Sequence, residues 1–229
     1  MGQWISYELE REQRETKLMR QRNHLDDFAN IVAHDLRNPI NVAQAYIEFA
    51  REEPENREEH LDGVETALNR MDVLIDDVLS LARIEQQELD SKTVDLRTVV
   101  DDAWTTAATE SISLSVEDTL VSVVGSHSLL QQAFENLIRN TGEHADSEAT
   151  VRIGLLDDGS GFYFEDDGPG IPNRKSKRAF QTGFSTGEDG TGFGLSIVKE
   201  IVEAHGWSIT VTGGTTGGAR FEIENVQFV

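Results

Sequence analysis

A histidine followed by an aspartate lies in a stretch that has the pattern of an amphipathic helix. Apolar residues recur there every three or four positions, at Leu25, Phe28, Val32, Leu36, Ala43, Ile47 and Ala50. His34 lies nearly opposite this stripe, on the predicted solvent side. An exposed imidazole beside Asp35, with Asn38 one turn later, is a usable nucleophile, because the carboxylate can keep one ring nitrogen protonated and leave the other free to attack. A lone surface histidine is more often only a surface residue, so the rest of the chain must support this interpretation.

Two glycine-rich segments lie in the C-terminal half. In GFYFEDDGPGIP, Asp166 ends a predicted strand and is followed by Gly168 and Gly170 in a D-x-G-x-G spacing. A carboxylate there can accept a hydrogen bond from an exocyclic amino group, and the glycines let backbone approach a flat base. Further on, GTGFGL opens a predicted helix whose N-terminal N–H groups suit phosphate. Its glycines are Gly190, Gly192 and Gly194. The Rossmann and Walker spacings are absent, which excludes those two modes of nucleotide binding.

Two asparagines, Asn136 and Asn140, lie in the segment ENLIRN. They are four residues apart in a predicted helix, so they share one face. An asparagine amide oxygen can ligate Mg²⁺, a hard cation that prefers oxygen ligands. Such an ion neutralises triphosphate charge during phosphoryl transfer. One helical asparagine alone is more often a solvated polar residue, so the argument depends on all these segments occurring in order.

The elements that must position His34 are two helices. Pro54 ends the first one. In the second, the a and d heptad positions are Leu61, Val64, Leu68, Met71, Ile75, Val78 and Ala82, and a third position is added by Ala67, Leu74 and Leu81. This stripe is wider than a two-stranded seam needs. We therefore predict that two hairpins pair into a four-helix bundle, which makes the protein a homodimer.

After residue 91 the pattern mixes strands and helices and predicts an α/β sandwich with antiparallel neighbours. Helices are predicted over 94–108, over 126–145 with Ser126 as a cap, and over 194–206 with Gly206 closing the helix. Strands are predicted over 112–116, 120–124, 150–156, 161–166, 207–212 and 219–226. The predicted division is a helical lead-in over 1–24, a helical hairpin over 25–90 and the sandwich over 91–229.

Composition excludes several classes of protein. The 229 residues include 20 Lys and Arg against 42 Asp and Glu, and the net charge of −22 argues against nucleic-acid binding. The absence of cysteine excludes disulfides, thiolate catalysis and cysteine-based zinc sites. No apolar run is long enough to span a membrane, so we expect a cytoplasmic chain. The acidic excess is spread along the chain and Arg outnumbers Lys, which favours a halophilic source.

Taken in order, these segments resemble the transmitter core of a two-component sensor histidine kinase. FANIVAHDLRNPI resembles the phospho-acceptor box, with His34 at the phosphorylated position. ENLIRN resembles the asparagine box, and EDDGPGI and GTGFGL resemble the two glycine boxes. KRAFQTGFSTG, with Phe180 and Phe184, resembles part of the ATP lid, and GGARFEI resembles the last strand of the catalytic domain.

The resemblance implies an ATP-dependent protein-histidine kinase with a GHKL-type (Bergerat) ATP-binding fold that uses Mg²⁺. It implies that Asp166 contacts adenine, that Asn140 ligates the metal and that Asn136 lies near the γ-phosphate. It also implies that Asp35 orients His34 and that Asn38 occupies the position used when such kinases dephosphorylate their partner. The remaining residues of the implied nucleotide site are Gly168, Gly170, Phe180, Phe184, Gly190, Gly192 and Gly194.

The implied partners are a second copy of the chain, the receiver domain of a response regulator and an upstream sensor module. The regulator would accept the phosphoryl group on an aspartate. Whether a protomer phosphorylates itself or its partner stays open at this point, as do the stimulus and the identity of the regulator.

One departure from the family pattern follows Asn140. The family continues there with an alanine and often a lysine, whereas this chain continues with Thr141, Gly142, Glu143 and His144. Glu143 cannot replace a phosphate-binding cation. Other cations could do so, namely His144, Arg139, Lys175, Lys177 or Arg178. Two alternatives therefore stay open: a GHKL ATPase that forms no phosphohistidine, and a degenerate kinase that serves as a dimeric scaffold.

Overall fold

The computed structural model describes residues 32–84, 89–117, 120–144, 148–172, 176, 178–184 and 191–229. The predicted lead-in over 1–24 lies outside these residues, as do Leu25 and Phe28 of the predicted first helix. Contacts divide the chain into two units, and the division falls between Leu74 and Ile75.

The first described elements form a helical hairpin, as the sequence predicts. Helix α1 covers residues 32–52, a 3₁₀ turn covers Pro54–Asn56, and helix α2 covers Arg57–Ile84. Glu53 separates the end of α1 from Pro54, which begins the turn, where its missing N–H costs no hydrogen bond. The helices approach closely at Gly63, where an added Cβ would lie 2.7 Å from the ring of Tyr46.

The apolar stripe of α2 has a buried side and an exposed side. Ala67 and Leu74 are buried, whereas Leu61, Leu68 and Ile75 are 52%, 51% and 44% exposed. The exposed residues recur every seven positions, so they form one continuous apolar row along the helix. A hairpin of two helices covers only part of this stripe, as the heptad pattern predicts.

The second unit contains the strands. Its elements after α2 are, in order, β1 (Lys92–Asp95), α3 (Leu96–Ala107), β2 (Ile112–Val116), β3 (Ser122–Gly125), α4 (His127–His144), β4 (Ala149–Leu155), β5 (Gly161–Asp166), α5 (Gly194–Ala204), β6 (Ser208–Gly213) and β7 (Ala219–Glu224). Ser126 precedes α4, and its Oγ lies 3.3 Å from Ser128 Oγ. Gly206 follows α5 as predicted.

Two sheets form within the described residues. The larger one has the order β2-β4-β5-β7-β6, and the smaller one pairs β1 with β3. The expectation of antiparallel neighbours is wrong for β2 and β4, which run parallel, so the larger sheet is mixed. The helix predicted over 94–108 is also too long, because Val94 and Asp95 belong to β1 and Asp95 caps α3 through bonds to the N–H groups of Arg97 and Thr98.

The core of this unit lies between the larger sheet and its helices. Helix α4 packs against both α3 and α5. Phe164, Phe193 and Phe221 are completely buried, and the rings of Phe164 and Phe221 lie 6.3 Å apart. Burying each such side chain contributes roughly 1.5–3 kcal/mol, so the core holds β5, β7 and the start of α5 together. No helix in the described part of the chain is long and apolar enough to cross a membrane.

Candidate functional site

His34 lies on the exposed face of α1. Its side chain is 72% exposed, and its Nδ1 lies 2.9 Å from Oδ1 of Asp35. A carboxylate oxygen can only accept, so this bond keeps a proton on Nδ1 and leaves the lone pair on Nε2 directed away from Asp35. Asn38, one turn later, is exposed. In the neutral ring, this geometry leaves Nε2 as the nitrogen without a proton.

Asp166 ends β5 as a buried carboxylate that two backbone groups hold. Its Oδ1 accepts hydrogen bonds from the N–H groups of Gly168, at 3.0 Å, and Ala219, at 3.2 Å. Burial raises the pKa of Asp166 above its ordinary value, and the two hydrogen bonds offset only part of that rise. Both described bonds run to Oδ1, and none of the described bonds runs to Oδ2.

The first glycine-rich segment packs backbone against backbone on the loop that precedes β7. Gly170 has a φ of 71°, and an added Cβ there would lie 2.5 Å from the carbonyl oxygen of Gly218. Gly218 has a φ of 70°, and its added Cβ would overlap the carbonyl oxygen of Asp166. Only glycine fits at these two positions, because both the backbone angle and the space exclude a side chain.

The two asparagines lie on α4, and one of them meets the start of α5. Asn136 is buried, and its Nδ2 donates to the carbonyl oxygen of Gln132 at 2.9 Å. An added Cβ on Gly194, the first residue of α5, would lie 3.3 Å from Asn136 Oδ1. Asn140 is half-buried one turn further along α4. Asn136 and the N-terminus of α5 are therefore neighbours, and N–H groups with no partner inside the helix begin there.

The segment 178–184 contains the two predicted lid phenylalanines. The Phe180 ring lies 6.3 Å from the ring of Phe221, and the Arg178 guanidinium lies 5.4 Å from the ring of Phe184. The N–H of Gly183 donates to the carbonyl oxygen of Gly192 at 3.0 Å, which joins this segment to the second glycine-rich segment. Gly190, Lys175 and Lys177 lie outside the described residues.

The proposed substitutes for the missing lysine differ in their contacts. Arg178 donates from Nε to Gln181 Oε1 at 3.2 Å, and its guanidinium lies over the Phe184 ring. Arg139 is exposed on α4, and its charge lowers the pKa of Asp77. Both arginines thus have interactions within the protein that a phosphate would have to compete with or join.

Asp77 is a buried acid to which the sequence patterns assign no role. It lies near the C-terminal end of α2, is 7% exposed, and accepts a 2.7 Å hydrogen bond from the hydroxyl of Thr191. Burial raises the pKa of Asp77 to about 6, against the lowering effects of Thr191 and Arg139. The sequence could have indicated that Asp77 is buried, because it lies three residues after Leu74 on the same side of the helix.

Glu165, next to Asp166, was also missed. It is 1% exposed, and it binds Arg220 and Thr215. The sequence pattern that could have revealed it is the strand GFYFED, in which successive side chains alternate, so Glu165 and Asp166 point to opposite faces of the sheet.

Comparison with known proteins gives two matching family models. Residues 24–87 match the His Kinase A (phospho-acceptor) domain, and residues 125–227 match the histidine kinase-, DNA gyrase B- and HSP90-like ATPase. Sporulation kinase A of Bacillus subtilis is 27% identical over 200 residues, which are 84% of this chain and 33% of the relative. Sensor histidine kinase TrcS of Mycobacterium tuberculosis is 31% identical over 208 residues, 82% of this chain and 41% of the relative.

The fold also matches a solved structure. The histidine kinase ThkA, solved in complex with the response regulator protein TrrA, has a TM-score of 0.71 at 21% identity, over 97% of this chain and 66% of that one. The order of a helical hairpin and a mixed α/β sheet is therefore shared. The chain spans less than half the length of the two curated relatives above.

Proposed function

Since the chain belongs to the sensor histidine kinases, with a phospho-acceptor domain followed by an ATPase domain, we propose that it transfers the γ-phosphoryl group of ATP to His34. The observation that carries this proposal is the exposed His34 ring whose Nδ1 is bonded to Asp35. A ring held in this way presents Nε2 as the nucleophile, and the neighbouring carboxylate removes the need for a separate group to orient it.

In the proposed step, Nε2 of His34 forms a bond to the γ-phosphorus while the bond to the bridging oxygen breaks and ADP leaves. The imidazole becomes cationic, and the Asp35 carboxylate stabilises the positive charge through the proton on Nδ1. Loss of that proton to solvent leaves a neutral phosphorylated ring. The protein contributes positioning and charge stabilisation, which are the main sources of rate in phosphoryl transfer.

The ATP site in this proposal is built around Asp166. Its Oδ2 would accept from the adenine amino group while Oδ1 keeps its two backbone bonds. Gly168 and Gly170 would leave room for the base, and the N-terminus of α5 at Gly194 would face the phosphates. Phe180, Phe184, Gly190 and Gly192 complete the proposed site.

The side chains near the proposed phosphate end suit Mg²⁺. The amide oxygen of Asn140 is a hard ligand on a half-buried side chain, and Asn136 lies one turn before it on the same face of α4. When bound, the ion would neutralise charge on the phosphates. Asn140 would hold it, and Asn136 would lie near its water ligands.

We propose that the phosphoryl group then passes to an aspartate of a response-regulator receiver domain, and that two chains pair through the hairpin over 25–90. The exposed apolar row at Leu61, Leu68 and Ile75 supports this pairing. The catalytic ATP-binding domain would cover 91–229, and a sensor module would supply the signal. Asn38 supports a second activity, dephosphorylation of the regulator, because its exposed amide could orient a water one turn from His34.

The test is labelling of the full chain with γ-labelled ATP. His34→Gln should abolish acid-labile label and leave ATP affinity unchanged, because the variant lacks only the acceptor nitrogen. Asp35→Asn should slow labelling by roughly 10²-fold. His127→Gln, at a partly exposed histidine on α4, is the matched control and should label normally.

Three results contradict the proposal in different ways. Label that persists in His34→Gln excludes His34 as the acceptor. Steady phosphate release with no labelled protein favours the GHKL ATPase. Failure of the wild-type chain to bind ATP with Mg²⁺ at high salt favours the scaffold.

A further inference from the structure

Two consecutive acids on β5 face opposite sides of the larger sheet. Asp166 faces the helices and the proposed nucleotide site, and Glu165 faces the other side. The cross-strand neighbours of Glu165 are Arg152 on β4 and Arg220 on β7. Glu165 is nevertheless 1% exposed, so a buried carboxylate lies next to Asp166 at the end of the strand.

Both oxygens of Glu165 have partners. Oε2 accepts from Arg220 Nη1 at 2.9 Å, and Oε1 lies 3.8 Å from Arg152 Nη1. Oε1 also accepts from the backbone N–H of Thr215 at 3.0 Å and from the Thr215 hydroxyl. Burial alone would raise the pKa of Glu165, but these bonds together outweigh it and the pKa lies below its ordinary value. The carboxylate is therefore charged at neutral pH.

These bonds attach Glu165 to the β6–β7 loop, residues 214–218. Thr215 is held by Glu165, and Thr216 accepts a 2.9 Å hydrogen bond from Arg152 Nη1. The loop ends at Gly218, whose backbone lies against the carbonyl of Asp166. The next residue, Ala219, donates its N–H to Asp166 Oδ1.

We propose that Glu165 is a positioning residue for adenine recognition. By holding Thr215 it fixes the β6–β7 loop, so that the N–H of Ala219 keeps the Asp166 carboxylate in the orientation that binds the amino group of the base. This inference rests on the proposed function, in which Asp166 contacts adenine. Glu165 itself would not touch the nucleotide, since it lies on the other face of the sheet.

The charge on Glu165 matters because charged hydrogen bonds are about twice as strong as neutral ones. Glutamine at this position would keep an acceptor for Thr215 but would place an amide against Arg220. The loop would then be held less firmly, and the Ala219 bond to Asp166 would be populated for less of the time. Losing one oriented hydrogen bond to the base weakens binding roughly ten-fold.

The experiment compares ATP with inosine triphosphate on the full chain. The inosine base carries an oxygen in place of the amino group, so it cannot use the Asp166 contact. We expect Glu165→Gln to weaken ATP binding roughly ten-fold and leave the affinity for inosine triphosphate unchanged. At saturating ATP the autophosphorylation rate should equal that of the wild type, since only base binding has changed.

A second variant and a control keep the test decisive. Thr215→Val removes the hydroxyl bond from an exposed loop residue and should weaken ATP binding in the same selective way. It decides the question if Glu165→Gln does not fold. Glu222→Gln removes the other carboxylate bonded to Arg220, at 2.8 Å from Nε, without touching the loop, and should leave both affinities unchanged.

The outcomes separate this inference from the proposed function. Equal weakening of both nucleotides, or no weakening in either variant, overturns the positioning role of Glu165. Equal affinity of the wild-type chain for ATP and inosine triphosphate, together with unchanged ATP binding in Asp166→Asn, overturns the adenine contact itself.

Discussion

At the scale of single residues, His205 shows how one neutral side chain joins two elements. Its Nδ1 donates to the carbonyl of Ile201 at 2.7 Å, and its Nε2 accepts from the N–H of Ser126 at 3.0 Å. A protonated ring would direct two N–H groups at each other, so the Ser126 bond needs the neutral ring. Burial lowers the pKa of His205 below 6.5, although the Ile201 bond opposes this shift.

This geometry predicts a loss of stability in mild acid. The folded state favours neutral His205, so its contribution is fully present above about pH 6.5 and is lost as pH falls toward the folded pKa. His205→Gln should cost about 1–2 kcal/mol at pH 7.5, and the cost should shrink at pH 5.5. Urea unfolding at both pH values measures it. An equal cost at both pH values would contradict the prediction. His127→Gln, at a partly exposed histidine, is the control.

The raised pKa of Asp77 predicts that stability depends on pH in the opposite direction. Its folded pKa is about 6, against an ordinary value of 3.8, so its charge destabilises the folded state above pH 6 and the cost disappears as pH falls toward 3.8. Asp77→Asn keeps an acceptor for Thr191 and should stabilise the protein at pH 8 by up to about 3 kcal/mol. The same urea experiment should show no gain at pH 4. Asp72→Asn, at an exposed acid on the same helix, should show none at either pH.

At the scale of elements, the hairpin depends on a close approach of α1 to α2. The Tyr46 ring occupies the space that a side chain at position 63 would need, and it also packs edge-on against Phe49 with ring centroids 6.4 Å apart. Gly63 lies inside α2, where glycine is less favourable than alanine by about 1 kcal/mol. Helix propensity and interhelical packing therefore oppose each other at this position.

We expect packing to be the larger effect. Gly63→Ala should destabilise the hairpin by about 1 kcal/mol, because the Tyr46 ring must move away from its neighbours. In a Tyr46→Ala background the same change should stabilise it by about 1 kcal/mol, since only the gain in propensity remains. Thermal unfolding of the four proteins in this cycle measures both signs. The same sign in both backgrounds would show that the ring does not limit this site.

Local patterns predicted the elements better than their pairing. The 3.6-residue period placed His34 opposite the apolar stripe, and the described α1 has His34 exposed. Strand β1 was missed because it has four residues, half of them charged, and continues directly into α3. The parallel pairing of β2 with β4 depends on residues far apart in sequence, about which the local pattern carries no information.

The site residues show the same limit. Motif spacing predicted a role for Asp166, but the contacts of its carboxylate come from Ala219 and, through the loop that holds Thr215, from Glu165. These partners lie about 50 residues from β5 in sequence, so only the fold reveals them. The acidic neighbour of Asp166 looked like part of a glycine-rich motif, although its role concerns the opposite face of the sheet.

At the scale of the whole molecule, charge and apolar surface act against each other. A net charge of −22 opposes association of two copies, whereas the exposed row at Leu61, Leu68 and Ile75 favours it. Salt screens the repulsion, which decays over about 8 Å at physiological ionic strength, so distant charges repel weakly. Each Å² of apolar surface buried along the row stabilises the dimer by about 25 cal/mol. We expect this stabilisation to exceed the charge repulsion.

Leu68→Glu should therefore convert the proposed dimer to a monomer, because it places a charge in the middle of the row. Sedimentation velocity at physiological salt measures the change. ATP affinity should remain that of the wild type, since the nucleotide site belongs to the second unit. Asn69→Glu adds the same charge at the next, exposed position and should leave the dimer intact. A dimeric Leu68→Glu variant would place the interface elsewhere.

The alternation of Glu165 and Asp166 along β5 also limits how this strand can evolve. Inserting one residue earlier in the strand would move Glu165 to the register position of Asp166, whereas deleting one would move Asp166 to the position between the arginines. Substitutions can be tested by selection one at a time, whereas such a shift would move both acids at once. Changes in chain length should therefore accumulate in the turn over 157–160, where an added residue leaves the register of β5 intact.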